Sequence, residues 1–228
     1  MHSELERTEL LLGREAQARL RESSVIVFGI GGVGGHVVEV MARSGIGTVT
    51  LVDADTVELS NINRQIIALH STVGRPKVEV AEQRIRDINP DCNVKTFQQF
   101  YLPENADSID LTEYDYVIDC IDTVSAKVEL IRRCDERKLP IISSMGAGNR
   151  MNPAMLKVTD IYKTTIDPLA KAVRKECRKN GIKSLKVVCS DECPQTASQQ
   201  TVIASNAFVP AAMGIMIASE VIKDLIKI

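Results

Sequence analysis

Apolar residues fall along this chain in two alternating rhythms. Short unbroken runs, Val25-Ile-Val-Phe28, Val49-Thr-Leu-Val52, Tyr116-Val-Ile-Asp119 and Leu139-Pro-Ile-Ile142, read as strands buried on both faces. Val94-Lys-Thr-Phe97 is a weaker run of the same kind. Between the runs, apolar residues recur at helical spacing. A helix over 35–44 puts Val37, Val38, Val40 and Met41 inward and stops at Gly45; one over 76–89 has Pro76 at its first position and Pro90 beyond its end. A third helix over 125–138 carries Val128, Leu130, Ile131 and Cys134. Met1 to Arg21 reads as one polar, amphipathic helix, and the apolar stretch Phe208 to Ile217 as a core helix running toward Ile226. Strands alternating with helices predict a doubly wound, mostly parallel α/β sheet. The expected organisation is a single domain over 1–228: an N-terminal helix (1–21), a core (22–148) and a C-terminal helical and strand extension (149–228) that forms the substrate side and a dimerisation region.

The junction after the first run sharpens this picture. Gly29, Gly31 and Gly34 have the G-x-G-x-x-G spacing of a Rossmann-like strand-to-helix turn, with Gly32 between them. The first glycine permits the tight turn, the second lets the backbone approach a phosphate, and the third lets the helix pack on the strand. The phosphate would sit on the free N–H groups and positive dipole end of the helix. Asp53 ends the next strand, near the roughly 20-residue spacing expected of a carboxylate that grips a ribose hydroxyl.

Ligands of such sheets bind beyond the carboxyl ends of the strands. Those ends carry Asp53-Ala-Asp55, Ser60-Asn-Ile-Asn-Arg-Gln65, Gly74-Arg-Pro-Lys77 and Asp119-Cys-Ile-Asp122. Nothing there supplies a nicotinamide surface with a proton donor. A Gly-rich cradle, a ribose carboxylate, Asn61, Arg64, Lys77 and a late aspartate suit a nucleoside triphosphate with magnesium. Asp119 reads as a strand-end cap, so Asp122 is the preferred metal-side carboxylate; Arg64 and Lys77 read alone would be ordinary surface charges.

Composition narrows the class without naming it. A net charge of −2 with 25% charged residues gives no global bias toward polyanions. No apolar leader opens the chain, and the longest quiet stretch is too short to span a bilayer. Six cysteines without a paired framework suit a reducing, cytoplasmic setting. Cys189 and Cys193 are spaced C-x₃-C with no second pair, so no zinc is expected.

At the motifs GIGGVGG, LVDADTVELSNINRQ, GRPKVEV and DCID the chain resembles the ATP-dependent adenylating family of ubiquitin-activating enzymes and of molybdopterin- and thiamine-pathway activators. Within it, the segments 6–13, 142–147, 165–168, 188–192 and 205–210 are most similar to the branch of tRNA threonylcarbamoyladenosine dehydratases. The resemblance implies that Gly31 and Gly32 approach the phosphates and that Asp53 binds ribose, with Gly29, Gly34, Asp55 and Gln65 completing the ATP site. It implies that Asn61 and Arg64 contact the triphosphate, that Lys77 stabilises developing charge, and that Asp122 associates with Mg²⁺. Arg7 resembles an arginine that reaches the partner subunit's ATP in related homodimers. The implied substrate is a modified adenosine beside the anticodon of tRNA, whose threonyl carboxylate is activated and cyclised.

A basic stretch fits that substrate. Lys171, Arg174, Lys175, Arg178 and Lys179 lie on a helix opened by Asp167-Pro168, with Lys183 and Lys186 beyond. The patch suits phosphate contacts, against the plainer reading of a solvated face. The polar segment 194–204 is expected as a mobile crossover loop or a reduced substrate-contacting element. Three other readings stay open: adenylation of a small sulfur-carrier protein's C-terminus, a nicotinamide-dependent oxidoreductase, and a silent nucleotide-binding half of a larger assembly.

Overall fold

The computed structural model describes residues 4–195 and 203–227. Seven strands form one sheet: β1 (Ser24–Phe28), β2 (Thr48–Val52), β3 (Asn93–Phe97), β4 (Tyr116–Asp119), β5 (Ile141–Ser144), β6 (Leu156–Asp160) and β7 (Lys186–Ser190). Their order is β3-β2-β1-β4-β5-β7-β6, parallel throughout except for β6, which pairs antiparallel with β7. The strand order reverses between β1 and β4, and the crevice of such a sheet opens at that switch point.

Alternation along the strands assigns each side chain a face. Val25, Val27, Val49, Leu51 and Ile118 pack with α3 (Gly34–Arg43), α4 (Lys77–Ile88) and α7 (Val209–Ile226) on one side. Ile26, Phe28, Val52 and Val117 pack with α5 (Val124–Arg137) on the other. Phe28 meets Tyr101 edge to face, with ring centroids 4.8 Å apart. Val187 and Cys189 of β7 meet α6 (Pro168–Lys179) through Ala170, Val173 and Cys177.

Three expectations need correction. The N-terminal helix over 1–21 is two helices, α1 (Glu6–Leu12) and α2 (Arg14–Glu22). Gly13 separates them at φ +86°, a conformation that ends one helix and re-aims the next. Strand β5 runs two residues later than the apolar run suggests. Pro140 has no N–H and joins only by accepting from the Val117 amide at 2.9 Å, whereas Ser143 and Ser144 continue the strand although they are polar. Pro76 stands outside α4 as its N-cap, not at its first turn. Strands β6 and β7 fall within the expected C-terminal extension, but no long apolar run announces them: Lys157 interrupts Leu156 and Val158, and β7 has only Val187, Val188 and Cys189 between Lys186 and Ser190. The segment 194–204 falls mostly on residues 196–202, outside the described residues.

Candidate active site

Beyond the carboxyl end of β1 the chain makes a turn that only glycine tolerates. Gly29 sits at φ +85°, and a Cβ there would lie 2.7 Å from the Cys120 carbonyl oxygen. A Cβ at Gly34 would lie 1.8 Å from the Gly29 oxygen. These two residues close the turn and bring α3 onto the sheet. Gly31 is different: its added Cβ would meet nothing nearer than Gln65 Nε2 at 3.8 Å. Its backbone is bare, over a cleft of about 620 Å³ that runs from Gly29 past Asp53, Lys77 and Asp122 to Arg150 and Asp167. That volume lies within the range of small-molecule sites. A second crevice of about 670 Å³, beside Tyr116 and Asp224, lies at the amino ends of the strands and has no such loop.

The residues after β2 hold this loop in place. Asp53 accepts from the Ile30 amide at 2.6 Å and from the Asp55 amide at 2.8 Å. Burial raises its carboxyl above the ordinary value, although Lys77 and the two amides pull the other way. Lys77, the first residue of α4, is 5% exposed. Its Nζ lies 2.6 Å from Asp55 Oδ2 and 4.0 Å from Asp53 Oδ1, and its amide donates to the Asp55 carbonyl at 3.0 Å. The Thr56–Pro76 bridge ties the two segments together. Lys77 is therefore a buried cation aimed at two carboxylates, and the surface-charge reading of it fails.

The neighbouring groups are arranged less tightly. Asn61 is buried, and its Oδ1 accepts from the Glu58 amide at 3.0 Å. Arg64 is half-buried and donates through Nη1 to the Ser60 carbonyl at 2.9 Å and to Asn63 Oδ1 at 2.8 Å. Gln65 is buried, with its Oε1 unpartnered among the described residues. Asp122 is exposed, its carboxylate accepting at 3.4 Å from Thr123 Oγ1. Among the described residues, no three acidic, cysteine or histidine side chains converge as a dedicated metal cage. The donor set suits a hard ion that takes one carboxylate, phosphate oxygens and water, which is the habit of Mg²⁺.

Two buried ionic groups escape a reading of the sequence alone. Asp119, at the end of β4, accepts from Lys127 Nζ at 2.8 Å, from Ser143 Oγ at 2.5 Å and from the Ile121 amide at 3.1 Å. Lys127 and Asp119 have no exposed side-chain surface. This trio joins β4, β5 and α5 and shapes the turn that presents Asp122. On the far side of the cleft, Asp167 caps α6 through the Ala170 amide at 2.9 Å and accepts from the Gly146 amide at 2.9 Å. Arg150 Nη2 stands 3.4 Å from its Oδ2. The sequence places Asp119 at a strand end and Asp167 at a helix start, but nothing local marks their partners Lys127 and Arg150 as other than surface charges; only burial does.

Other expected residues fall outside the cleft. Arg7 lies exposed on α1, on the same helical face as the exposed Leu10 and Leu11. On α6, Lys171, Lys175, Arg178 and Lys179 are exposed, with Arg178 over the Tyr162 ring and Lys179 paired to Glu176 at 2.6 Å. Arg174 is turned inward, donating to the Thr164 carbonyl at 2.7 Å, so the basic face is narrower than the sequence suggests. Lys186 faces Asp224 at 2.7 Å, away from that patch. Cys193 is exposed, and Cys189 is buried with its thiol pushed up to about 11 by burial. No described helix is long and apolar enough to cross a membrane.

Comparison with known proteins accords with this geometry. The chain is 42% identical over its whole length, and over 96% of the relative's, to the tRNA threonylcarbamoyladenosine dehydratase of Bacillus subtilis strain 168. It matches the crystal structure of the Escherichia coli tRNA N6-threonylcarbamoyladenosine dehydratase in complex with AMP at 36% identity, with a TM-score of 0.92 over 97% of this chain and 93% of that one. The same relative in complex with ATP matches at a TM-score of 0.89 with the same identity and coverage. The model of the ThiF family matches residues 5–228, and the chain belongs to that family.

Proposed function

We propose that this protein is an ATP-dependent enzyme that adenylates the threonyl carboxylate of N6-threonylcarbamoyladenosine in tRNA and promotes its cyclisation. One observation carries the nucleotide half of this reading. A buried lysine, Lys77, faces a bare glycine turn and the ribose-side carboxylate Asp53 in one cleft. The substrate half rests on full-length similarity to dehydratases.

The reaction needs little acid–base help, because a carboxylate is already ionised near neutral pH. Its oxygen attacks the α-phosphorus of ATP; the bond to the β-phosphate oxygen breaks and pyrophosphate leaves with the electron pair. An atom of the neighbouring carbamoyl group then attacks the acyl carbon. That closes a five-membered ring, breaks the bond to AMP and releases one proton. Both steps build charge on phosphate oxygens, so fixed cations and positioning supply the catalysis. Gly31 and Gly32 would present backbone amides to the phosphates, with Asn61, Arg64 and Gln65 beside them. Lys77 would exchange its Asp55 partner for a phosphate oxygen. Asp53 and Asp55 would hold the ribose side, with Gly29 and Gly34 fixing the turn. Asp122 would hold Mg²⁺, which supplies charge neutralisation at the phosphates.

The basic face of α6 would bind the tRNA backbone, because Asp167 and Pro168 at its amino end line the cleft while Lys171, Lys175, Arg178 and Lys179 lead away from it. Arg7 would reach the second site of a homodimer, since it shares one face of α1 with Leu10 and Leu11, which are 82% and 83% exposed. Transfer to a thiol fits less well: Cys120, which lines the cleft, has its thiol pushed up to about 12 by burial. The test is isotope exchange of pyrophosphate into ATP. Exchange should depend on tRNA carrying threonylcarbamoyladenosine; exchange driven only by a sulfur-carrier protein would replace this reading.

A further inference from the structure

The far wall of the cleft contains a buried cation to which the adenylation reading above gives no role. Arg150 is 2% exposed, and its Nε and Nη1 have no acceptor among the described residues. Its one ionic partner among those residues is Asp167, at 3.4 Å through Nη2. That carboxylate is already engaged by the amides of Gly146 and Ala170. A buried guanidinium with unmet donors is costly, and native structures seldom retain one without a purpose.

The backbone around Arg150 is held from several directions. Asn149, at φ +56°, exchanges hydrogen bonds with Ala204: its amide donates to the Ala204 carbonyl, and its Oδ1 accepts from the Ala204 amide, both at 2.8 Å. Asn206 Nδ2 donates to the Arg150 carbonyl at 2.6 Å. Glu192 accepts from the amides of Met151 and Asn152. The side chain is thus set in the cleft wall from a pinned base, on the β5 side of the switch point, with Lys77 and the glycine turn on the other side.

We propose that Arg150 is a substrate-binding residue that receives the carboxylate of the acceptor and holds it for attack on the nucleotide. This rests on the adenylation reading above. The chemistry favours a carboxylate for two reasons. The vacant N–H groups of a guanidinium match carboxylate oxygens in charge and planarity. Asp167 neutralises the guanidinium only partly at its distance, so the charge and the two unmet donors of Arg150 are left for a second anion that displaces the packing over them. With one acceptor oxygen held by Arg150, the other is free to attack. Once the acyl-adenylate forms, the same donors face the acyl oxygen as the carbamoyl atom closes the ring. Arg150 thereby selects the modified adenosine over the bare one, a discrimination the phosphate contacts of α6 cannot make.

The test measures binding of two anticodon stem-loops, one carrying threonylcarbamoyladenosine and one carrying plain adenosine, to the full chain with a non-hydrolysable ATP analogue. The wild type should prefer the modified loop. Arg150→Met should lose about ten- to a hundred-fold of that preference, the scale of charge-assisted hydrogen bonds. Its affinity for the plain loop and for ATP should stay unchanged, which also certifies folding. Arg150→Lys should keep part of the preference; if the methionine variant fails to bind ATP, the lysine and Arg150→Gln variants carry the comparison. A methionine or glutamine variant that keeps the full preference overturns the role of Arg150 while the adenylation reading stands. A wild type with no preference, and no exchange of pyrophosphate with modified tRNA, overturns both.

Discussion

The two walls of the cleft answer the same electrostatic problem in opposite ways. On the β1–β2 side, Lys77 has carboxylate partners on its own chain, Asp55 at 2.6 Å and Asp53 at 4.0 Å, and Asp53 in turn fastens the glycine turn through the Ile30 amide. On the β5 side, Arg150 is buried with two nitrogens unmet among the described residues, and Asp167 is spread among three donors. One wall has its buried charge paired before any ligand arrives; the other leaves a buried charge with unmet donors. The difference teaches which wall can discriminate. A self-satisfied lysine can trade one anion for another at little cost, which suits a common ligand. An unsatisfied arginine gains most from the one anion shaped to reach it, which suits a specific acceptor.

The joint between the walls should be the most sensitive point. Lys127→Met would leave Asp119 buried and uncompensated at the boundary of β4 and β5. Breaking a buried pair on one side costs about 3–5 kcal/mol. Denaturant unfolding should show that loss, whereas a drop below about 1 kcal/mol would mean that Ser143 and water satisfy Asp119 alone.

Next in size is Lys77→Ala. Losing one preorganised charge-stabilising donor should lower turnover by roughly 10²–10³. ATP affinity should fall much less, because backbone, arginine and metal contacts remain. Normal turnover at saturating ATP would dismantle the proposed site. If Arg7 completes the partner's site, mixing Lys77→Ala with Arg7→Ala subunits should restore part of the activity, since one site of each mixed dimer then has both residues. Activity that stays at the level of the separate variants would remove Arg7 from the site.

Acidity separates the walls more gently. Burial lifts the Asp53 carboxyl, so the folded protein takes up that proton at a higher pH than the unfolded chain does. Between the two values the folded state holds more protons, and the Asp53 contribution to stability falls as pH rises through that window. Nucleotide binding has the opposite sign: a protonated Asp53 is a poorer acceptor for ribose, so ATP affinity should fall as pH drops into the same window. Asp53→Asn should flatten that dependence while weakening binding at neutral pH, as titration calorimetry across pH would record.

The smallest effect belongs to the α6 surface. Replacing Lys175, Arg178 and Lys179 with Ala should weaken tRNA binding and lower its salt slope by about one for each phosphate left without its cation. ATP affinity should not change. An unaltered slope would mean that these residues form only a solvated face, as the Lys179–Glu176 pair already does in part.

Most of the architecture is written in local pattern. Unbroken apolar runs, helical spacing and a Gly-x-Gly-x-x-Gly turn are short-range properties, and they specify β1 to β4, α3 to α5 and the position of the cleft. Asp53 can be named from its place at the end of β2, whereas Arg64, Lys77 and Asp122 gain their roles from the motifs the chain shares with the adenylating family. Tertiary structure decides what burial alone can decide. Whether Lys77 is a surface charge or a clamped cation, whether Arg174 faces water or Thr164, and whether Lys127 meets Asp119 all depend on segments far apart in the chain. The same holds for β6 and β7, whose lysines conceal them until the sheet places them side by side. A sequence records the charge of Arg150 plainly; only the packed fold removes its water and leaves its donors waiting for a partner.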